Sequence, residues 1–172
     1  MLLFKKIILP LLFFSLLVSC SNNKNINNFI GLEVSESLSD IYVNKKNERR
    51  HQITRVELEK IFNSPKSYND SKNFRYSLDF KINESISGNI LSTSLSTMTF
   101  NVSFSLNDRS DNSIIFTDQF KVISSFGSVT TLYGKEQAQK NTTTKLSLTS
   151  ASEINFRLRY FFTKLKIANE TE

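Results

Sequence analysis

Few residues in this chain have side chains suited to covalent or metal chemistry. Its 172 residues include one cysteine, Cys20, one histidine, His51, and four glycines. One Cys with one His cannot build a Cys/His zinc cage, and a lone Cys cannot close an internal disulfide. No G-x-G-x-x-G, G-x-x-x-x-G-K or G-x-S-x-G occurs, so phosphate-cradling loops and a nucleophile elbow are excluded. Serines are many, but a serine nucleophile needs a base, and His51 lies among charged residues of a helical segment. Carboxylates are scattered, with no pair set out as acid and base. The chain is therefore expected not to be an enzyme, with no cofactor and no metal. His51 is expected to be a solvated helix residue.

Cys20 has a specific context. Lys5 and Lys6 precede an apolar run, Ile7 to Val18, that is too short for a bilayer span of about 20 residues. The run closes on Leu17-Val18-Ser19-Cys20. This resembles the bacterial lipobox, in which the Cys is acylated on sulfur and becomes the new amino terminus. Residues 1–19 then read as a lipoprotein signal peptide. Residues 20–28 read as the lipidated Cys and a flexible polar tether, and residues 29–172 as one domain. Each buried CH₂ adds about 0.8 kcal/mol to membrane binding, so two or three long acyl chains such as palmitate would hold permanently. Ser21 is of the type that permits passage to the outer membrane. The formal charge is +6. Without Lys5 and Lys6 it is milder, and no long cationic run points to nucleic acid.

Periodicity supplies the elements. Phe29–Val34 is read as a short first strand, with residues 35–45 irregular. Residues 46–62 read as a helix with Ile53, Val56, Leu58 and Ile61 or Phe62 inward, ended by Asn63-Ser64-Pro65. Residues 74–82 alternate strictly, with Phe74, Tyr76, Leu78, Phe80 and Ile82 on one face. Residues 97–106 repeat this with Met98, Phe100, Val102, Phe104 and Leu106. Asn107–Asn112 is a polar turn. Residues 113–126 return with Ile114, Phe116, Phe120 and Val122 inward. Asp118 falls on that apolar phase, which predicts a bulge or strand break there. A last helix, about 135–166 and starting between 135 and 145, carries the stripe Leu148, Ala151, Ile154, Leu158, Phe161 and Leu165.

The fold class that follows is α+β. It is a two-layer sandwich with a four-stranded, mostly antiparallel sheet and two helices on one face, in the order β-α-β-β-β-α. The other sheet face would carry Arg75, Ser77, Asp79, Lys81, Thr97, Thr99, Asn101, Ser103, Ser105, Thr117, Gln119 and Lys121. Such a face is either an ordinary solvated surface or one that meets sugar and phosphate in a wet cavity.

Several segments together carry a family resemblance. They are the lipobox, the helix Arg49-x-x-x-Ile53-x-Arg55-x-x-Leu58, the strand Tyr76–Phe80, the strand 97–106 with its turn, and Ser125-Phe126. After Tyr133-Gly134 comes a helix closing on Ile154-x-x-x-Leu158-x-x-Phe161-Phe162. This order and spacing resembles the LPS-assembly lipoprotein family LptE in its alphaproteobacterial form. Ser21-Asn22-Asn23 stands where family members often carry Gly-Phe. The resemblance implies a lipid-anchored outer-membrane protein on the periplasmic side. Such a protein plugs the LptD β-barrel, assists its assembly and helps deliver lipopolysaccharide to the outer leaflet. Its expected partners are the barrel, lipopolysaccharide and the membrane. The family's basic contacts cannot be matched position by position. Arg75, Lys81, Arg109 and Lys121 are the candidates from strand phase and turn position. An auxiliary lipoprotein of an envelope lipid-trafficking ABC system is the alternative.

Overall fold

A computed structural model describes residues 23–63, 73–88, 95–127 and 131–170. The signal segment, Cys20 and Pro65 lie outside the described residues. The elements are α1 (Asn23–Ser39), β1 (Ile41–Val43), α2 (Arg49–Phe62), β2 (Tyr76–Ser87), β3 (Leu95–Asp108), β4 (Ile114–Gly127) and α3 (Leu132–Glu170). The strands form one sheet in the order β1-β2-β3-β4. β2, β3 and β4 make the expected antiparallel meander, and β1 joins β2 in parallel through the α2 crossover. The class is α+β, as the periodicity predicts, with a mixed sheet and three helices.

Two expectations at the amino-terminal end are corrected. Residues 29–34 are helical, as is the polar stretch from Asn23 onward, and the first strand is Ile41–Val43 within the segment read as irregular. A six-residue apolar run suits either element by length. Here Val34 and Leu38, one helical turn apart, are both buried in the core, and Glu33 pairs with Lys166 of α3 at 2.6 Å. A helix can present all three residues to its neighbours, whereas a strand would send alternate ones away.

The core lies between the covered sheet face and the helices. Met98, Phe100, Val102, Phe104 and Leu106 of β3 are all buried, as are Leu78, Phe80 and Ile82 of β2. α2 buries His51, Thr54, Leu58 and Phe62. Its inward line is therefore rotated from the predicted one, and Val56 is exposed. Asn63 ends the helix in the left-handed conformation, with its N–H donating to the Glu59 carbonyl at 3.2 Å. Asn tolerates that backbone region better than most residues. α3 buries Leu146, Ser147, Ser150, Ala151, Ile154, Leu158 and Phe162. Leu148 and Leu165, placed on the stripe from sequence, are exposed. The start of α3 is Leu132, where the Gly134 N–H donates to the Thr131 hydroxyl at 3.1 Å. The Thr-rich stretch stays helical, and the hydroxyls of Thr142 and Thr144 donate back to the carbonyls of Ala138 and Lys140.

The expectation at Asp118 is also overturned. The strand does not break there. Asp118 sits in regular register opposite Phe104, and the ladder shifts instead near Asn107, where Leu106 faces Phe116 and Asn107 faces Ile114. Arg157 of α3 explains why. Its Nη1 donates to Asp118 Oδ2 at 2.6 Å, its Nε donates to Glu153 at 2.8 Å, and its guanidinium lies over the Phe120 ring. The Asp118 carboxylate holds the Arg157 pKa above its ordinary value. An inward charge on an outer strand also discourages pairing with another chain's strand. Asp118→Ala is expected to lower stability by about 1 kcal/mol, because the pair is partly exposed. Urea titrations at low and high salt should show the difference from the parent shrinking as salt rises.

Candidate functional site

The open face of the sheet is built by strand alternation, so its composition follows from the odd-numbered positions of β2, β3 and β4. Register aligns them in rows across the strands. Asp79, Ser105 and Thr117 form one row, Lys81, Ser103 and Gln119 the next, then Asn83, Asn101 and Lys121. Further along, the hydroxyls of Thr97 and Ser125 lie 3.3 Å apart. The side chains are short and polar, and Lys81, Asn83, Asn101, Ser103, Thr117, Gln119 and Lys121 are exposed. Thr99, at an odd position of the inner strand β3, is buried rather than exposed.

Two shallow hollows adjoin at Ser103. One, of about 380 Å³, is lined by Asn83, Asn101, Ser103, Gln119 and Lys121. The other, of about 260 Å³, is lined by Lys46, Asp79, Lys81, Ser105 and Thr117 as well as Ser103. Lys81 and Lys121 lie two strands and two residues apart, roughly 12 Å by strand spacing and rise. This arrangement offers ammonium groups, amides and hydroxyls to a solvated ligand. Those groups can exchange hydrogen bonds with sugar hydroxyls and with phosphate oxygens.

The four basic candidates fall into two groups. Lys81 and Lys121 share the open face. Arg75 and Arg109 sit at the end of the sheet beside the β3–β4 turn, around a hollow of about 570 Å³. Arg75 Nε lies 3.5 Å from Asp108 Oδ2, and its guanidinium stacks over Tyr76. Arg109 lies over the Tyr42 ring. The Ser110 hydroxyl and N–H donate to Asp108 and hold its carboxyl below the usual range, with Arg75 adding to the effect. That carboxylate offsets part of the positive charge at this end.

Sequence reasoning missed Lys46. It could be placed beside Lys81 only by knowing that β1 exists. Its Nζ donates to the Phe80 carbonyl at 2.6 Å and lines the same hollow as Lys81. Sequence reasoning also misplaced His51. The imidazole is 2% exposed, stacked on Phe80 beneath the covered face of the sheet. No helix among the described residues is long and apolar enough to cross a membrane.

No family model and no curated protein matches this chain. Its fold is similar to that of a candidate lipoprotein from Caulobacter crescentus. That match has a TM-score of 0.64 at 15% identity, over 76% of this chain and 96% of that one. The fold is also similar to that of rare lipoprotein B from Shewanella oneidensis. There the TM-score is 0.50 at 11% identity, again over 76% of this chain and 96% of the other. At these identities the likeness is one of fold.

Proposed function

We propose that this chain is an envelope lipoprotein, anchored through acyl chains on Cys20, that fills the lumen of an LptD-type outer-membrane barrel. There it assists barrel assembly and lipopolysaccharide delivery, without catalysing a reaction. The observation that carries this reading is the open sheet face. A barrel interior is polar and wet, and a plug facing it needs hydroxyls, amides and a few charges rather than an apolar patch. Rows of Ser, Thr, Asn and Gln flanked by Lys81 and Lys121 have that character. The lipobox-like leader and the fold likeness to two proteins named as lipoproteins support the same placement.

A tagged carboxyl terminus and mild detergent extraction provide the test. A large β-barrel recovered in near-equal amount supports the reading. Inner-membrane ABC-transporter components in its place would favour the trafficking alternative. Recovery as a free monomer from cells that make the barrel would overturn the proposal.

The open face also gives a binding prediction. Hydrogen bonds to charged groups contribute about 1.5–3 kcal/mol each, less when exposed to solvent. The double variant Lys81→Glu/Lys121→Glu is expected to weaken binding of purified lipopolysaccharide roughly tenfold or more. Arg75→Glu is expected to do less, because Asp108 already faces it. Titration of the full-length protein in detergent at two salt concentrations reads both effects.

A further inference from the structure

β1 is only three residues long, so β2 continues past it with an outer edge that no strand of the described residues covers. Backbone groups on that edge are met in succession by other atoms. The Tyr76 N–H donates to the Asp40 carbonyl at 3.1 Å, and the Leu78 carbonyl accepts from the Asn44 N–H at 3.0 Å. From there side chains take over. The Phe80 carbonyl accepts from Lys46 Nζ at 2.6 Å, and the Ile82 N–H donates to His51 Nε2 at 3.2 Å. The entry to α2 thus stands where a neighbouring strand would. A buried backbone N–H left unpaired is costly, so the His51 contact matters for how α2 sits.

The direction of that bond defines the state of the ring. Nε2 can accept only if the imidazole is neutral, with its proton on Nδ1. Nδ1 is buried without a hydrogen-bond partner, 3.4 Å from Glu48. Burial and nearby cations disfavour a protonated ring, and the Glu48 carboxylate favours it. Lys46 and Arg50 are cations on its own side of the fold. Arg50 already engages the carboxylate of Glu48 and, at 3.1 Å, that of Glu84 on β2. From α3, the Ser147 carbonyl, which is uncharged, accepts from the Thr54 hydroxyl of α2. Burial lowers the His51 pKa from its ordinary value; Glu48 pulls it up, while Lys46 and Arg50 push it further down.

We propose that His51 is an acid-sensitive latch that fastens the first turn of α2 to the edge of β2. While neutral, it holds the Ile82 N–H. Once protonated, it turns an N–H toward an N–H, the contact is lost, and the start of α2 lifts to uncover the edge groups of Phe80 and Ile82. The sign follows from linkage. The folded pKa is lowered, so between it and about 6.5 the unfolded chain binds more protons. The latch's contribution is complete above about pH 6.5 and is lost as pH falls toward the folded pKa. The device is independent of which partner the chain serves.

Because His51 is the one histidine, its ring can be followed without assignment ambiguity. Imidazole NMR of the full-length protein in detergent, with amide exchange at Ile82, is the experiment. At pH 8 the ring should be neutral with its proton on Nδ1. As pH falls below 6, Ile82 protection should drop at least tenfold relative to an amide bonded between β2 and β3. His51→Gln keeps a side-chain carbonyl that can accept but does not titrate, so its Ile82 protection should not change with acid. His51→Phe keeps a ring but no acceptor, so Ile82 should exchange quickly even at pH 8. A ring that titrates at or above 6.5 with Ile82 still protected at pH 5 would overturn the latch. The same acid loss in His51→Gln would overturn it too.

Discussion

Phe100→Ala is expected to cost about 3–5 kcal/mol, the range for truncating a fully buried aromatic in a core that closes only partly around the gap. Phe100 is 0% exposed and lies midway along β3, an inner strand that β2 and β4 flank. It sits opposite Glu84 of β2 and Val122 of β4, on the face that the helices cover. Its loss therefore opens a cavity where sheet and helix layer meet. Domains are stable by only about 5–15 kcal/mol, so this one ring accounts for a large share. With a urea slope near 2 kcal/mol/M, the midpoint should fall by roughly 1.5–2.5 M with the slope unchanged. A loss below about 1 kcal/mol would mean that β3 is not an inner strand and that the register is wrong.

Enlarging Ala151 should harm the fold almost as much, for the opposite reason. α2 and α3 meet where Thr54 reaches Ser147, and Ser150 and Ala151 stand one turn further along α3. Thr54, Ser147, Ser150 and Ala151 are each 0% exposed, and the Thr54 hydroxyl donates to the Ser147 carbonyl at 3.2 Å. The helices are close enough for side chain to reach backbone, so no room remains for a longer group. Ala151→Leu is expected to cost about 3 kcal/mol through forced rotamers and backbone shift. Leucine is a good helix former, so the cost cannot be charged to helix propensity. Ser152→Leu, one residue along on the exposed side of the same helix, is the control and should change stability by no more than about 0.5 kcal/mol. Equal losses at both positions would place the α2–α3 contact elsewhere.

The strands and the polar face were legible in advance because period-two alternation is a local property. Tyr76 to Ile82 and Met98 to Leu106 sort apolar from polar whatever lies around them, and Phe116 to Val122 does so at every position but Asp118. Lys81, Asn101, Gln119 and Lys121 could therefore be assigned to one surface before any register was known. The split of the basic candidates into a face pair and a turn-end pair was not legible, since it depends on where the β3–β4 turn lies relative to Arg75. Lys46 was hidden for a similar reason: its neighbour Lys81 is 35 positions away along the chain and is brought to it by the parallel pairing of β1 with β2.

From sequence alone come the α+β class, the antiparallel meander, a long final helix and a hydrophilic sheet surface, because each is written in a repeat of two or of three to four residues. Tertiary structure decided whether Phe29–Val34 was strand or helix, how α2 and α3 were turned about their axes, whether Asp118 broke its strand and where His51 went. Each of those outcomes depends on a partner distant in sequence: α3 for α1, Ser147 for Thr54, Arg157 for Asp118 and the Ile82 amide for His51. Local periodicity ranks the faces of an element, but only packing and hydrogen-bond satisfaction choose among faces of nearly equal apolar content.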